Sequence, residues 1–109
     1  MKILFDQGTP APLRLSLPDH VVSTAFECGW HLLQNGELLR AAEAEGYEAI
    51  ITTDQSLRYQ QNLADRRLAV VVLMTTDWRL IKQHVGCVAK AITELAPGGF
   101  LELVFPPAL

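Results

Sequence analysis

Acidic residues follow several apolar segments of this 109-residue chain, at positions where their carboxylates could hold a divalent cation. Asp6, Asp54 and Asp77 each lie at or just past the end of a β-rich run, and Asn35 and Glu37 lie at the predicted start of a helix. Gathered carboxylates raise one another's pKa unless a cation lies between them. Mg²⁺ and Mn²⁺ prefer such oxygen ligands. This set of residues is therefore typical of a metal site that hydrolyses phosphodiesters.

Five β-rich runs and four helical patterns must position these acids. The predicted strands are 2–5, 20–25, 48–53, 68–74 and 100–105, and the predicted helices are 10–15, 36–45, 56–63 and 78–95. Thr9, Asn35 and Asp77 are the expected helix caps, and Gly46 is expected to end the second helix. Regular alternation of strands and helices implies a sheet covered on both faces. The predicted fold class is α/β: one domain over 1–109, a three-layer α/β/α sandwich with a five-stranded, mainly parallel sheet.

The predicted topology places the acids at one edge of that sheet. Ligand sites of open α/β sheets lie outside the carboxyl ends of the strands, where the strand order reverses. Asp6 and Asp54 end two strands, so a shared site explains the pair better than coincidence. A single Asp after a strand is more often a helix cap, and for Asp77, directly before Trp78, capping is the favoured interpretation.

Composition limits the classes of function. Nine Lys and Arg against twelve Asp and Glu give a net charge of −3, which disfavours nucleic-acid binding through a basic patch alone. Half of the residues are hydrophobic, yet no apolar run approaches the roughly 20 residues that span a bilayer. Asp6 interrupts the apolar N-terminus, unlike a secretory leader. Cys28 and Cys87 form neither a disulfide framework nor a zinc cluster. We therefore expect a cytoplasmic protein without a membrane partner.

Three segments resemble the short PIN-like domains, a branch of the PIN-domain ribonuclease superfamily. They are MKILFD at 1–6, NGELLRAAEAEGYEAIITTD at 35–54 and QSLRYQQNL at 55–63, within a resemblance that covers about residues 1–73. The resemblance implies a PIN-like fold and a Mg²⁺- or Mn²⁺-dependent endoribonuclease. Many members are toxins of bacterial toxin–antitoxin pairs. RNA, a small antitoxin protein and a second copy of the chain are the partners that it suggests.

The resemblance also assigns roles to individual residues. Asp6 matches the acid that ends the first strand, and Asp54 matches the acid of the family's T-x-D motif, here Thr52-Thr53-Asp54. Asn35 stands where the PIN-like pattern has an Asp. In that arrangement Asp6 and Asp54 bind the metal, and Glu37 binds it or orients the attacking water. Asp77 is an outer candidate ligand.

Polar residues near the proposed site are candidates for binding RNA. They are Asn35, Gln55, Arg58 and Tyr59. Arg58 would meet a phosphate and Tyr59 would stack on a base. The alternative is a solvated polar helix over 56–63 with one tyrosine packed at its base.

Two alternatives to a nuclease stay open. With Asn35 in place of a carboxylate, the same fold could bind RNA or a protein partner without catalysis. A phospho-acceptor receiver domain also has acids after its first and third strands, with Thr75 or Thr76 as its hydroxyl. Gln7 after Asp6, and the absence of a lysine near Phe105, count against a receiver. An apolar connection, with Trp30, Leu32 and Leu33, either covers the core or offers a surface to a partner.

Overall fold

A computed structural model describes residues 1–57 and 66–106 of the chain. Five strands, one 3₁₀ helix and three α-helices lie in those two ranges. The strands are β1 (Lys2–Phe5), β2 (Val21–Thr24), β3 (Ala49–Thr52), β4 (Ala69–Leu73) and β5 (Phe100–Leu103). The 3₁₀ helix is Ala11–Ser16, and the α-helices are α1 (Asn35–Ala44), α2 (Trp78–Lys82) and α3 (Val85–Thr93). The predicted helix over 56–63 lies almost wholly outside the described residues. No helix within the described ranges is both long and apolar enough to cross a membrane.

All five strands are parallel, in the order β2-β1-β3-β4-β5, which confirms the predicted α/β class. β1 is the point where the order reverses, because β2 pairs on one side of it and β3 on the other. Phe5, the last residue of β1, pairs with Thr24 of β2 and with Ile51 of β3. The carboxyl ends of β1 and β3 therefore meet at the switch point, where doubly wound sheets bind ligands.

Apolar side chains fill both faces of the sheet. Ile3 and Phe5 point to a face covered by the 3₁₀ helix, α2 and α3, and Leu4 points to the opposite face, which α1 covers. Every residue of β3 and β4 is buried. Strands buried on both faces have continuous apolar sequences, which explains why the run 68–74 was a strong strand signal. The layers thus correspond to the predicted sandwich.

The long C-terminal helix and the Thr9 cap were predicted wrongly. The long helix predicted over 78–95 is broken into α2 and α3, because His84 leaves the helical backbone at φ −129° and ψ 27°. Val85 and Gly86 follow it, and both residue types form helices weakly. The expected cap at Thr9 is also absent, since Pro10 holds the cap position without a side-chain hydrogen bond. Gly46, with φ +81°, ends α1 as predicted.

Candidate active site

The pairing of β1 with β3 brings Asp6 next to the T-x-D segment. Because Phe5 pairs with Ile51, the next residue, Asp6, continues the ladder and its N–H donates to the Ile51 carbonyl at 3.1 Å. Thr52 then lies beside Asp6 at the strand end. Asp54 follows two residues later at the same edge. Two acids that are 48 positions apart in the sequence thereby lie at one edge of the sheet, on either side of Thr52.

Hydrogen bonds from Thr9 and Thr52 hold the Asp6 carboxylate. Its Oδ1 accepts from the Thr9 N–H at 3.1 Å and lies 2.8 Å from the Thr9 hydroxyl. Its Oδ2 accepts from the Thr52 hydroxyl. Burial raises the pKa of Asp6 above its usual value, although the hydrogen bonds from Thr52 and Thr9 act in the opposite direction. Desolvation thus favours the protonated form unless a positive charge is brought near.

The Asp54 carboxylate lies in a different environment. Its Oδ1 accepts from the Ser56 N–H at 3.0 Å and from the Ser56 hydroxyl at 2.7 Å, and its Oδ2 accepts from the Asn35 amide. These hydrogen bonds, from Ser56 first and Asn35 second, lower the pKa of Asp54 below its usual value. Asp54 is therefore ionised at neutral pH. The surroundings of the two acids thus shift their pKa values in opposite directions, upward for Asp6 and downward for Asp54.

Thr52 connects the two acids. Its hydroxyl donates to Asp6 and accepts from the Asp54 N–H at 3.1 Å, and the residue is only 2% exposed. One side chain thus sets the position of the Asp6 carboxylate relative to the Asp54 backbone. In the sequence, Thr52 is recognisable only as the first residue of the T-x-D motif, with no role of its own. Its position two residues before Asp54 is the signal that could have indicated one.

The turn from Asp6 to Thr9 lies directly against the end of β3. The Thr9 N–H donates to the Asp6 carbonyl at 3.2 Å, which closes the turn. A Cβ on Gly8 would lie 2.2 Å from the Thr53 hydroxyl oxygen. Only glycine therefore lets the turn come this close to β3 without displacing a neighbour. Nothing in the sequence around Gly8 indicated this requirement.

Asn35 is not the helix cap that the sequence suggested. Gln34 holds the cap position of α1, and Asn35 is the first helical residue. The Asn35 amide instead donates to Asp54. A donor to a carboxylate makes a stronger hydrogen bond than a cap on neutral amides, which gives a physical reason for this arrangement.

The remaining predicted residues do not join the pair. Glu37 is exposed in the first turn of α1. Asp77 accepts from the Arg79 N–H at 3.0 Å, so the capping interpretation of Asp77 is confirmed. Within residues 1–57 and 66–106, no three or more His, Cys, Asp and Glu side chains are grouped in a way that could hold a metal ion. Gln55 is exposed, and Arg58 and Tyr59 lie outside the described residues.

A cleft of about 170 Å³ opens beside Asp6. Asn35 and the 6–8 turn supply its polar wall. Residues of the β2–α1 connection and α1 line the rest of it: Ala25, Trp30, His31, Leu33 and Leu38. Trp30 and Leu33 pack on the core, while Leu32 is 83% exposed. The apolar connection therefore mainly covers the core, as one of its two interpretations held.

The carboxylate oxygens at this edge of the sheet are of the kind that a hard divalent cation prefers as ligands. Asp6 and Asp54 supply carboxylate oxygens. Each carboxylate oxygen accepts about two bonds. Oδ1 of each acid already lies within hydrogen-bond distance of two donors, whereas each Oδ2 has one donor and can accept a further bond. Mg²⁺ is usually held by one or two carboxylates, with water and substrate phosphates completing its shell. Two acids at the switch point meet that minimum, and the third acid that the sequence suggested is not needed for it.

Comparison with known proteins adds no relative. No family model matches the chain, and neither a curated protein nor a solved structure does.

Proposed function

We propose that this chain is a Mg²⁺- or Mn²⁺-dependent endoribonuclease of the PIN-like type, with Asp6 and Asp54 as its metal ligands. The observation that carries the proposal is the pair of carboxylates at the β1–β3 switch point, joined through the buried Thr52 hydroxyl beside a cleft. A bound cation would also meet the phosphate that a chain with a net charge of −3 otherwise repels. The role of toxin in a toxin–antitoxin pair belongs to the same proposal.

The two acids have different parts in this mechanism. Asp54 offers an anionic ligand at neutral pH, because hydrogen bonds from Ser56 and Asn35 stabilise its charge. Asp6 is held by Thr9 and Thr52, and a bound cation would offset the cost of burying its charge. When bound, the cation would polarise the phosphodiester and activate a water for in-line attack. For Glu37 and Asp77, a role at the metal is suggested by the sequence alone.

Metal binding by the protein tests this assignment directly. We expect calorimetry to detect Mn²⁺ binding to the wild-type chain and not to the double variant Asp6→Asn/Asp54→Asn. Asp19→Asn is the matched control, because Asp19 is exposed and precedes β2, at the opposite edge of the sheet. It makes the same Asp-to-Asn change, removing one negative charge where the double variant removes two, without touching the site.

RNA cleavage in the same buffer completes the test. The wild-type chain and Asp19→Asn should cut RNA, EDTA should stop the cutting, and the double variant should be inactive while remaining folded by circular dichroism. Equal cleavage by the double variant and the wild-type chain would refute the assignment. A wild-type chain that binds no Mn²⁺ would refute it as well.

A second candidate is a module that binds RNA or a protein partner without cutting RNA. Two observations favour it: Asn35 replaces an acid and donates its amide to Asp54, and no group of three metal-ligating side chains occurs in the described ranges. In that case the protein donors alone satisfy the acids. RNA retention on a filter without Mn²⁺ dependence and without cleavage would support this candidate over the nuclease.

The strand order is compatible with a receiver domain, but receiver domains share this order with other doubly wound sheets. The Thr75 hydroxyl accepts from the Asp77 N–H at 3.1 Å and thus takes part in the turn before α2. Gln7 follows Asp6 in place of a second acid. The order of the strands alone therefore does not favour a phospho-acceptor function.

A further inference from the structure

Thr9 is a buried polar residue whose partners all belong to the candidate site. It is 5% exposed, and its hydroxyl lies 2.8 Å from Asp6 Oδ1 and 2.7 Å from the Ile51 carbonyl oxygen. It makes no capping bond to the 3₁₀ helix that follows it. Burying a hydroxyl costs free energy of desolvation unless the hydroxyl is hydrogen-bonded, and these contacts supply the hydrogen bonds that allow Thr9 to be buried.

The Thr9 hydroxyl has one proton and two acceptors. An ionised carboxylate and a backbone carbonyl both only accept, so the proton can be directed to one of them at a time. The Ile51 carbonyl also accepts from the Asp6 N–H at 3.1 Å. That carbonyl therefore keeps a hydrogen bond when the Thr9 hydroxyl turns toward Asp6. The donor is available to whichever oxygen carries more negative charge.

The same turn encloses one oxygen of Asp6. The Thr9 N–H donates to Oδ1 at 3.1 Å, and the Thr9 hydroxyl, 2.8 Å away, can direct its proton to the same oxygen. Oδ2 lies toward Thr52 and the T-x-D segment instead. The two oxygens of Asp6 are therefore not equivalent.

We infer that Thr9 is a positioning residue of the metal site: its hydroxyl and N–H fix Oδ1, so that Oδ2 is the Asp6 oxygen presented to the cation. This inference rests on the proposed metal-dependent function. Partners that orient a metal ligand affect its affinity without contacting the metal. Thr9 thus acts through Asp6 and is not itself a catalytic residue.

Calorimetry with Mn²⁺ on three variants tests the inference by a readout other than activity. Thr9→Val keeps the shape and removes the hydroxyl, and we expect it to weaken Mn²⁺ binding by about 10–100-fold. Thr9→Ser restores the hydroxyl and should bind Mn²⁺ as the wild-type chain does. Thr75→Val is the matched control, because it removes a hydroxyl at the same sheet edge that bonds the Asp77 backbone. Its Mn²⁺ affinity should be unchanged.

The possible outcomes separate this inference from the function on which it rests. Wild-type binding with an unchanged Thr9→Val affinity would overturn the inference and leave the metal site standing. Equal weakening in Thr9→Val and Thr9→Ser would indicate a packing role and overturn it too. A wild-type chain without Mn²⁺ binding would overturn both proposals. If urea denaturation shows Thr9→Val to be unfolded, Thr9→Ala replaces it in the same comparison with Thr9→Ser.

Discussion

Thr52→Val is the substitution that most directly tests how the site is built. Valine has nearly the shape of threonine and suits a parallel strand, so the change removes little except the hydroxyl. In the 2%-exposed Thr52 that hydroxyl donates to Asp6 and accepts from the Asp54 N–H. A hydrogen bond to a charged group contributes about 1.5–3 kcal/mol and a neutral one about 0.5–1.5 kcal/mol. We therefore expect the free energy of unfolding to fall by about 2–4.5 kcal/mol.

Urea denaturation of the metal-free protein at neutral pH measures this loss. Thr52→Ser is the control, since it keeps the hydroxyl and deletes one buried methyl group, worth about 1 kcal/mol. The valine variant should therefore be less stable than the serine variant. If Thr52→Val unfolds at the wild-type urea concentration, the hydroxyl does not hold the two acids together. If the serine variant is the less stable one, packing of the methyl group decides the stability at this position.

Three further predictions concern the acids and the turns around them. Folding raises the pKa of Asp6, so the stability that Asp6 contributes is full below its usual pKa of 3.8 and declines as pH rises through its folded pKa. Folding lowers the pKa of Asp54, so Asp54 contributes stability above pH 3.8, and this stability is lost as pH falls through its folded pKa. In urea denaturation from about pH 3 to neutral, Asp6→Asn should gain stability relative to the wild-type chain as pH rises and Asp54→Asn should lose it; shifts of the same sign would contradict these environments. Gly8→Ala should lower the free energy of unfolding by about 1–3 kcal/mol, because the new Cβ would lie 2.2 Å from the Thr53 hydroxyl oxygen. In thermal denaturation, adding Thr53→Ala should recover much of that stability. Equal losses of stability with and without the Thr53 side chain would exclude the clash as the cause. Asp77→Ala should cost about 0.5–2 kcal/mol by removing the cap of α2, with no change in Mn²⁺ affinity; weaker Mn²⁺ binding would return Asp77 to the ligand set.

Much of the architecture could be predicted from local patterns. β4 is a continuous apolar run in the sequence because both of its faces are buried, and Gly46 ends α1 because its φ of +81° suits glycine. Asp77 caps a helix, as an Asp before a helical pattern usually does. In these cases the neighbouring residues along the chain already contain the physical cause.

Other features depend on contacts between distant segments. Asn35 looks like a cap by its local sequence, yet Asp54, 19 positions away, takes its amide. Thr9 looks like a cap as well, yet it bonds Asp6 and the Ile51 carbonyl. A polar side chain bonds the strongest acceptor within reach, and only the fold brings that acceptor into reach.

By itself, the sequence determined that the chain is α/β and that the acids Asp6 and Asp54 follow two buried strands. Hydrophobic periodicity, continuous apolar runs and turn residues are local properties, so they can be read from the sequence. Only the tertiary structure decided that β1 pairs with β3, that Thr52 links the two acids, and that Glu37 and Asp77 stand apart from them. Strand order and register result from packing across the whole sheet. For that reason the acids could be named from the sequence, but their hydrogen-bond partners and opposite pKa shifts could not.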